Sequence, residues 1–146
     1  MEIVSINKDH YLDIAKIYRQ GIDTGMATFE TSAPSWESWN ENKLLHSRLI
    51  AFENNQALGW AAISKVSSRC VYEGVAEVSI YVSENHRGKG HSKALIESAK
   101  ELCIATNACG ILLETDKTNE IGNQLYPSCG FEQYTHANFY EWTNHF

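Results

Sequence analysis

Asn85-His86-Arg87-Gly88-Lys89-Gly90-His91-Ser92-Lys93 packs three cations, two histidines and two glycines into nine residues. Glycine lets a backbone turn its amides toward a single point, and cations beside such a point favour an anion. The residues on either side sharpen this. Val78, Ile80 and Val82 alternate with Ser79, Tyr81 and Ser83, the period of a strand. Ala94, Leu95, Ala99 and Leu102 mark one face of a helix. A strand that feeds a glycine loop and then a helix leaves several N–H groups unpaired at the helix start, with the positive end of the helix dipole behind them. That arrangement binds phosphate. A nucleotide P-loop, G-x-x-x-x-G-K-[ST], is absent from the chain. A dinucleotide loop needs a small residue where Lys93 stands, so that reading is blocked as well. What remains is Arg87-x-x-Gly90-x-Ser92.

The rest of the chain supplies elements to hold that loop. Met1 to Ile6 alternates as a strand, and Asp9 is placed to cap a helix with apolar positions Leu12, Ile14, Ala15, Ile17 and Tyr18. Thr24-Gly25 breaks it. Pro34 opens a second helical segment with Trp36, Trp39, Leu44 and Leu45 on its apolar face. Arg48 to Phe52 and Ala57 to Ile63 read as strands joined at Asn54-Asn55, a hairpin signal. After the strand at Val75 and a helix from Gly90 to about Thr106, Cys109 to Glu114 reads as a strand. Asn119 to Cys129 reads as a short helix stopped by Gly130. Phe131 to His136 and Phe139 to Thr143 read as two closing strands. The order β-α-α-β-β-β-α-β-α-β-β predicts one α/β domain over residues 1–146, with a mostly antiparallel sheet.

A chain of 146 residues suits one domain with a real core, and a net charge of −6 argues against nucleic acid as the main partner. The cations crowd into the loop instead, which suits a small polyanion. No apolar run approaches the ~20 residues of a membrane helix. MEIVSINKDH lacks the basic-then-apolar design of a signal peptide, so no membrane and a cytoplasmic location are expected. Cys70, Cys103, Cys109 and Cys129 form no CxxC pair, so reduced thiols are expected and no metal.

Arg87-x-x-Gly90-x-Ser92 resembles the pyrophosphate loop of the GNAT superfamily of N-acetyltransferases, which bind acetyl-coenzyme A. Asn119-x-x-Gly122-x-x-Leu125-Tyr126-x-x-x-Gly130-Phe131 resembles that superfamily's second signature, in the same order along the chain. Ala27-Thr28-Phe29-Glu30, Arg69-x-x-Tyr72-x-x-x-x-Glu77-x-Ser79-Ile80-Tyr81-Val82 and His86-Arg87-Gly88-Lys89-Gly90 look like the phosphinothricin acetyltransferase group. The resemblance implies a mostly antiparallel mixed sheet of about seven strands flanked by about four helices. It also implies acetyl transfer from acetyl-CoA, as cosubstrate, to the primary amine of an amino acid or toxic analogue. Acetylation of an antibiotic, a polyamine or a protein amine stays open, as does a non-catalytic acyl-CoA sensor. Past Phe131 the chain departs from the group, and Tyr126 stands where close members often carry His.

The resemblance implies roles residue by residue. Glu77 would be the base, acting through water. It stands in an apolar stretch, where burial would tune a carboxylate for that task, although a structural carboxylate is the plainer reading. Tyr126 would be the acid for the departing sulfur, where a bare LY pair would otherwise read as core. The backbone of Ile80, Tyr81 and Val82 would pair with pantetheine and supply an oxyanion donor. Arg87, Gly88, Lys89, Gly90, His91, Ser92 and Lys93 would hold the pyrophosphate. Asn119 would bond the pantetheine arm, cap its helix, or both. Arg69 and Tyr72 would grip the substrate, an arginine suiting a carboxylate, with Phe29 and Glu30 on the opposite wall. A homodimer through the Trp36-Trp39 helix or the Phe139–Phe146 strand is a further candidate.

Overall fold

A computed structural model describes residues 1–25, 31–65, 75–105, 110–112 and 120–133. Strand β1 (Glu2–Ser5) leads through a 3-10 turn (Lys8–His10) into helix α1 (Tyr11–Asp23). The residue that caps this entry is Asn7, not the expected Asp9. Its side chain accepts the Asp9 amide at 2.9 Å while His10 Nδ1 accepts the Asn7 amide at 3.1 Å, a reciprocal capping box. Helix α2 (Trp36–Asn42) starts at Ser35, whose hydroxyl accepts the Ser38 amide. Strands β2 (Leu49–Glu53) and β3 (Gln56–Lys65) form the expected hairpin, with Asn54 and Asn55 at φ 51° and 62°. That left-handed pair is what a two-residue turn demands. Strand β4 (Val75–Val82), helix α3 (His91–Ala105), strand β5 (Gly110–Leu112) and helix α4 (Glu120–Ser128) follow.

The strands lie side by side in chain order. The first three pairings are antiparallel, and β4–β5 is parallel. Helix α3 supplies the crossover that a parallel pair requires. The described residues thus hold five strands and four α-helices. Of the two further strands expected at the end, Phe131–Gln133 show no strand structure. The remainder, from 134 onward, lies outside the described residues.

The sheet has two buried faces. Ala61, Ile63, Ala76 and Val78 pack with Leu95, Ala99 and Cys103 of α3. Trp60, Ala62 and Tyr81 pack with Ile14, Ile17 and Tyr18 of α1 and Trp39 of α2. Burying each large apolar side chain is worth about 1.5–3 kcal/mol. On the second face Tyr81 stacks between Tyr18 and Trp60, at centroid distances of 4.8 and 4.9 Å. Three expected helix-face residues are exposed instead, one of them Leu102 of α3 at 38%. Leu12 is 83% exposed because Ile14, Ile17 and Tyr18 already define the inward stripe, and Leu45 is 87% exposed beyond the end of α2. Cys103 and Cys129 are buried, whereas Cys70 and Cys109 lie outside the described residues. No helix among those residues is long and apolar enough to cross a membrane.

Candidate active site

Strand β4 is the axis of the site. Its cross-strand register sets Tyr81 opposite Trp60, Ser79 opposite Ala62 and Glu77 opposite Ser64. Directly opposed residues share a face, so the α1–α2 face changes from aromatic at Trp60 and Tyr81 to polar at Ser64, Ser79 and Glu77. Glu77 is exposed, which corrects the expectation that its apolar neighbours would bury it. Ala76 and Val78 belong to the opposite face, against the α3 cluster, and the period of two puts Glu77 on the other side.

Beside Glu77 stands a lysine that the sequence reading did not single out. Lys43 Nζ donates to Ser64 Oγ at 3.3 Å and to Ser79 Oγ at 3.1 Å. Burial pushes the Lys43 pKa down; the Glu77 charge acts to raise it and Arg48 adds to the lowering. The backbone around Lys43 is tied on both sides. The Leu44 amide donates to the Ile63 carbonyl at 2.8 Å. Buried Arg48 donates to the carbonyls of Lys43 (2.7 Å), Leu44 (2.7 Å) and Asn40 (2.8 Å), and to Asn40 Oδ1 (2.6 Å). A guanidinium at this place caps the carbonyl end of α2, where a cation is favoured. Desolvation lowers its own pKa.

Past Tyr81 the strand turns into the glycine loop. Arg87 Nε donates back to the Val82 carbonyl at 3.3 Å, and the Glu84 amide donates to Gln20 Oε1 of α1 at 3.0 Å. Gly88 and Gly90 take φ of 76° and 85°, and a Cβ built on either would meet nothing within 4 Å. The first α3 bond runs from the Ala94 amide to the Gly90 carbonyl, so the amides of His91, Ser92 and Lys93 precede the helical ladder. An open left-handed loop running onto a helix start fits a pyrophosphate. Arg87, Lys89 and Lys93 are exposed around it, while Ser92 is half-buried. His91 is half-buried too, with Nδ1 3.3 Å from Met1 Sδ and its ring 6.3 Å from that of His86.

On its opposite edge β4 pairs with β5 from Val75 to Glu77, before the strand continues through Ile80, Tyr81 and Val82. Their β3 edge is filled, by Ala61, Trp60 and Gly59. Gly59 is a close contact. A Cβ there would lie 2.7 Å from the Tyr81 carbonyl oxygen and 3.2 Å from Val82 Cα.

Tyr126 sits three residues before the end cap of α4. Gly130, at φ 87°, donates its amide to the Pro127 carbonyl, and the Phe131 amide donates to the Tyr126 carbonyl, both at 3.1 Å. These are the two bonds of a Schellman cap, and the usual apolar contact accompanies them. The Tyr126 and Phe131 rings meet edge to face at 6.3 Å. Lys100 of α3 donates to the Cys129 carbonyl and lies 5.9 Å over the Phe131 ring. Burial raises the Tyr126 phenol pKa, and the Cys129 thiol adds to the rise. The physical content of the Gly130-Phe131 signature is therefore the orientation of Tyr126. Asn119, Phe29, Glu30, Arg69 and Tyr72 lie outside the described residues.

Among the described residues, cavities open on the α1–α2 side. One, of about 470 Å³, lies between α1 and residues 31–34, with Arg19 and Asp23 on its wall. Another, of about 330 Å³, is lined by Tyr18, Pro34, Ser38, Trp39, Asn42 and Lys43.

Residues 14–131 match the model of the Acetyltransferase (GNAT) family. The chain belongs to that family. The GNAT fold is matched across most of the chain by a ribosomal-protein-alanine N-acetyltransferase from Brucella melitensis. The TM-score is 0.85 at 21% identity, over 92% of this chain and 86% of that one. A phosphinothricin acetyltransferase from Sinorhizobium meliloti, solved in complex with AcCoA, superposes with a TM-score of 0.80 at 25% identity, over 90% and 74% of the two chains. Among curated proteins, a streptothricin acetyltransferase from Escherichia coli is 37% identical over 70 residues. That match spans 47% of this chain and 40% of that enzyme's length. The likeness to the phosphinothricin acetyltransferase group drawn from the motifs thus extends to solved members of the GNAT family.

Proposed function

We propose that the protein is an acetyl-CoA-dependent N-acetyltransferase whose acceptor is the primary amine of a small molecule, an amino acid or an analogue of one. The observation that carries this reading is the continuity of β4. One strand presents Glu77 to the cavity-bearing face, then a backbone edge from Ile80 to Val82, then the open glycine loop at the start of α3. Acetyl-CoA, when bound, supplies the acyl thioester. In this proposal the amides from Gly88 to Lys93 hold its pyrophosphate, with Arg87 and Lys89 alongside. The backbone of Ile80, Tyr81 and Val82 holds the pantetheine arm, and Asn119 assists.

The chain's own groups then manage protons. An acceptor amine arrives protonated and must lose a proton before it can attack. Glu77 is exposed, so water reaches its carboxylate and can relay that proton. Tyr126 keeps its phenolic proton at neutral pH, because burial favours the uncharged form. Ordinary phenol and thiol pKa values of about 10 and 8.5 already make full transfer to a departing thiolate uphill by about 2 kcal/mol. Burial widens that gap. Tyr126 therefore acts chiefly as a hydrogen-bond donor to the leaving sulfur, and the proton itself is finally drawn from solvent.

Calorimetric titration with acetyl-CoA, and thiol release across a panel of amines, test the reading. Glu77→Gln and Tyr126→Phe should each lower turnover by about 100-fold while cofactor affinity stays within about threefold. Absence of acetyl-CoA binding at millimolar concentration defeats it. The 37% match to a streptothricin acetyltransferase favours one second reading, an antibiotic amine as acceptor. Including aminated antibiotics in the panel decides between the two.

A further inference from the structure

We infer that Lys43 is a binding subsite for an anionic oxygen group of the acceptor, a carboxylate or similar singly charged oxyanion, set beside the amine that Glu77 serves. This rests on the acetyltransferase reading and narrows its substrate class to zwitterionic acceptors.

Position comes first. Ser64 lies directly across from Glu77, and Ser79 lies two residues further along the same strand face. Because Lys43 Nζ bonds both hydroxyls, its ammonium stands on the same polar patch as the Glu77 carboxylate. Opposed side chains on one face are roughly 5 Å apart at Cβ and diagonal ones roughly 7–8 Å. The α-amino and carboxylate groups of an amino acid are separated on that scale or less. A cation and an anion held apart on one wall match such a zwitterion with opposite polarity.

Coordination comes next. An ammonium has three protons to give, and two go to serine hydroxyls, which are neutral. No carboxylate of a described residue lies within 4 Å of Lys43 Nζ, although Glu77 is close enough to act on its pKa. A half-buried lysine that served only to neutralise Glu77 would be expected to close that ion pair. Instead Lys43 also lines the 330 Å³ cavity whose other walls include Tyr18 and Trp39. A bound oxyanion would give the third proton a charged acceptor and offset the cost of keeping the ammonium partly out of water.

Support comes last. Arg48 and the Leu44–Ile63 bond fix the backbone on both sides of Lys43. Such holding makes a side chain a positioned donor and not a mobile surface charge. Ser64 and Ser79 complete the task by steering its head group.

Equilibrium titration and thiol release with a panel of α-amino acids and their carboxamides, on the wild type, Lys43→Met and Lys43→Arg, test this. The wild type should prefer acid over amide by about 10- to 100-fold, the range of a charge-assisted bond. Lys43→Met should bring that ratio toward one, and Lys43→Arg should keep part of it. Equal binding of acids and amides by the wild type overturns the subsite, as does binding of neither, or a ratio that survives in Lys43→Met. If acid and amide turnover fall alike in Lys43→Met, the lysine acts only through Glu77, and the inference also fails. Acetyl-CoA titration and turnover of neutral amines need no acceptor carboxylate, so they report on the acetyltransferase reading separately. Circular dichroism of both variants verifies folding.

Discussion

The Phe131 amide donates to the Tyr126 carbonyl at 3.1 Å, and the two rings meet edge to face across the same bond. The proposed sulfur-facing phenol is thus part of the cap that ends its own helix. Gly130 permits this by adopting φ 87°. Gly130→Ala places a Cβ in that left-handed conformation, 3.4 Å from Lys100 Nζ, at a cost of about 1–2 kcal/mol. We expect a lower thermal midpoint together with a reduced kcat, while acetyl-CoA affinity changes by less than about threefold. A variant with lowered stability but wild-type kcat would show that the cap does not orient Tyr126.

Gly59 faces the Tyr81 carbonyl so closely that no side chain fits between the strands. Gly59→Ala must push β3 away from Tyr81–Val82, at an overpacking cost of about 1–3 kcal/mol. The displaced backbone is the one assigned to pantetheine. Acetyl-CoA affinity should therefore fall in calorimetry along with the unfolding midpoint in urea. Loss of stability with unchanged affinity would argue against that assignment.

Arg48 satisfies carbonyls of Asn40, Lys43 and Leu44 from a buried position. Arg48→Met leaves those oxygens short of donors at the end of α2, with an expected destabilisation on the order of 3 kcal/mol. Because the same carbonyls hold Lys43, KM for a carboxylate-bearing acceptor should rise more than KM for acetyl-CoA. Parallel rises in the two constants would count against a local effect.

Burial lowers the Lys43 pKa in the folded chain, whereas the unfolded chain has the ordinary value of about 10.4. Between those two values the unfolded state binds more protons, so this group makes stability rise with pH in that window. Below it both states are protonated, and the full cost of the buried cation is present. Lys43→Met removes the cost, so it should be more stable than the wild type at pH 7, with the gap closing as pH climbs toward 10.4. Tyr126, whose pKa is raised, acts in the opposite sense above about pH 10 but is common to both proteins and cancels. Calorimetric unfolding of the pair across this range checks the sign, and a gap independent of pH would refute it.

Local rules made β4, the glycine loop and α3 legible. Period-two alternation identified the strand, two glycines the loop, and Leu95 and Ala99 the buried face of the helix. Gly130 was readable as a helix stop for the same reason. The exposure of Glu77 was not legible, because its apolar neighbours, Ala76 and Val78, pack on the other side of the strand. Lys43 left no local trace. Its surroundings arise from bonds to residues 21 and 36 positions away, and only the β3–β4 register brings those two serines together. The expected Arg69 and Tyr72 grip, like the Phe29–Glu30 wall, lies outside the described residues.

Strand β4 divides its labour by parity. Its even side chains, Ala76 and Val78, pack against α3, and its odd ones, Glu77 and Ser79, stand on the other face; in the proposed reading that face meets the acceptor and the backbone edge holds the cofactor. In the proposed enzyme three kinds of change are thereby uncoupled within one strand of eight residues. Acceptor preference can drift through substitutions at position 79, or at Ser64 and Lys43 beside it, without touching the core, the proposed base or the donor's binding edge. A family built on this strand can diversify what it acetylates while conserving how it holds the acetyl donor.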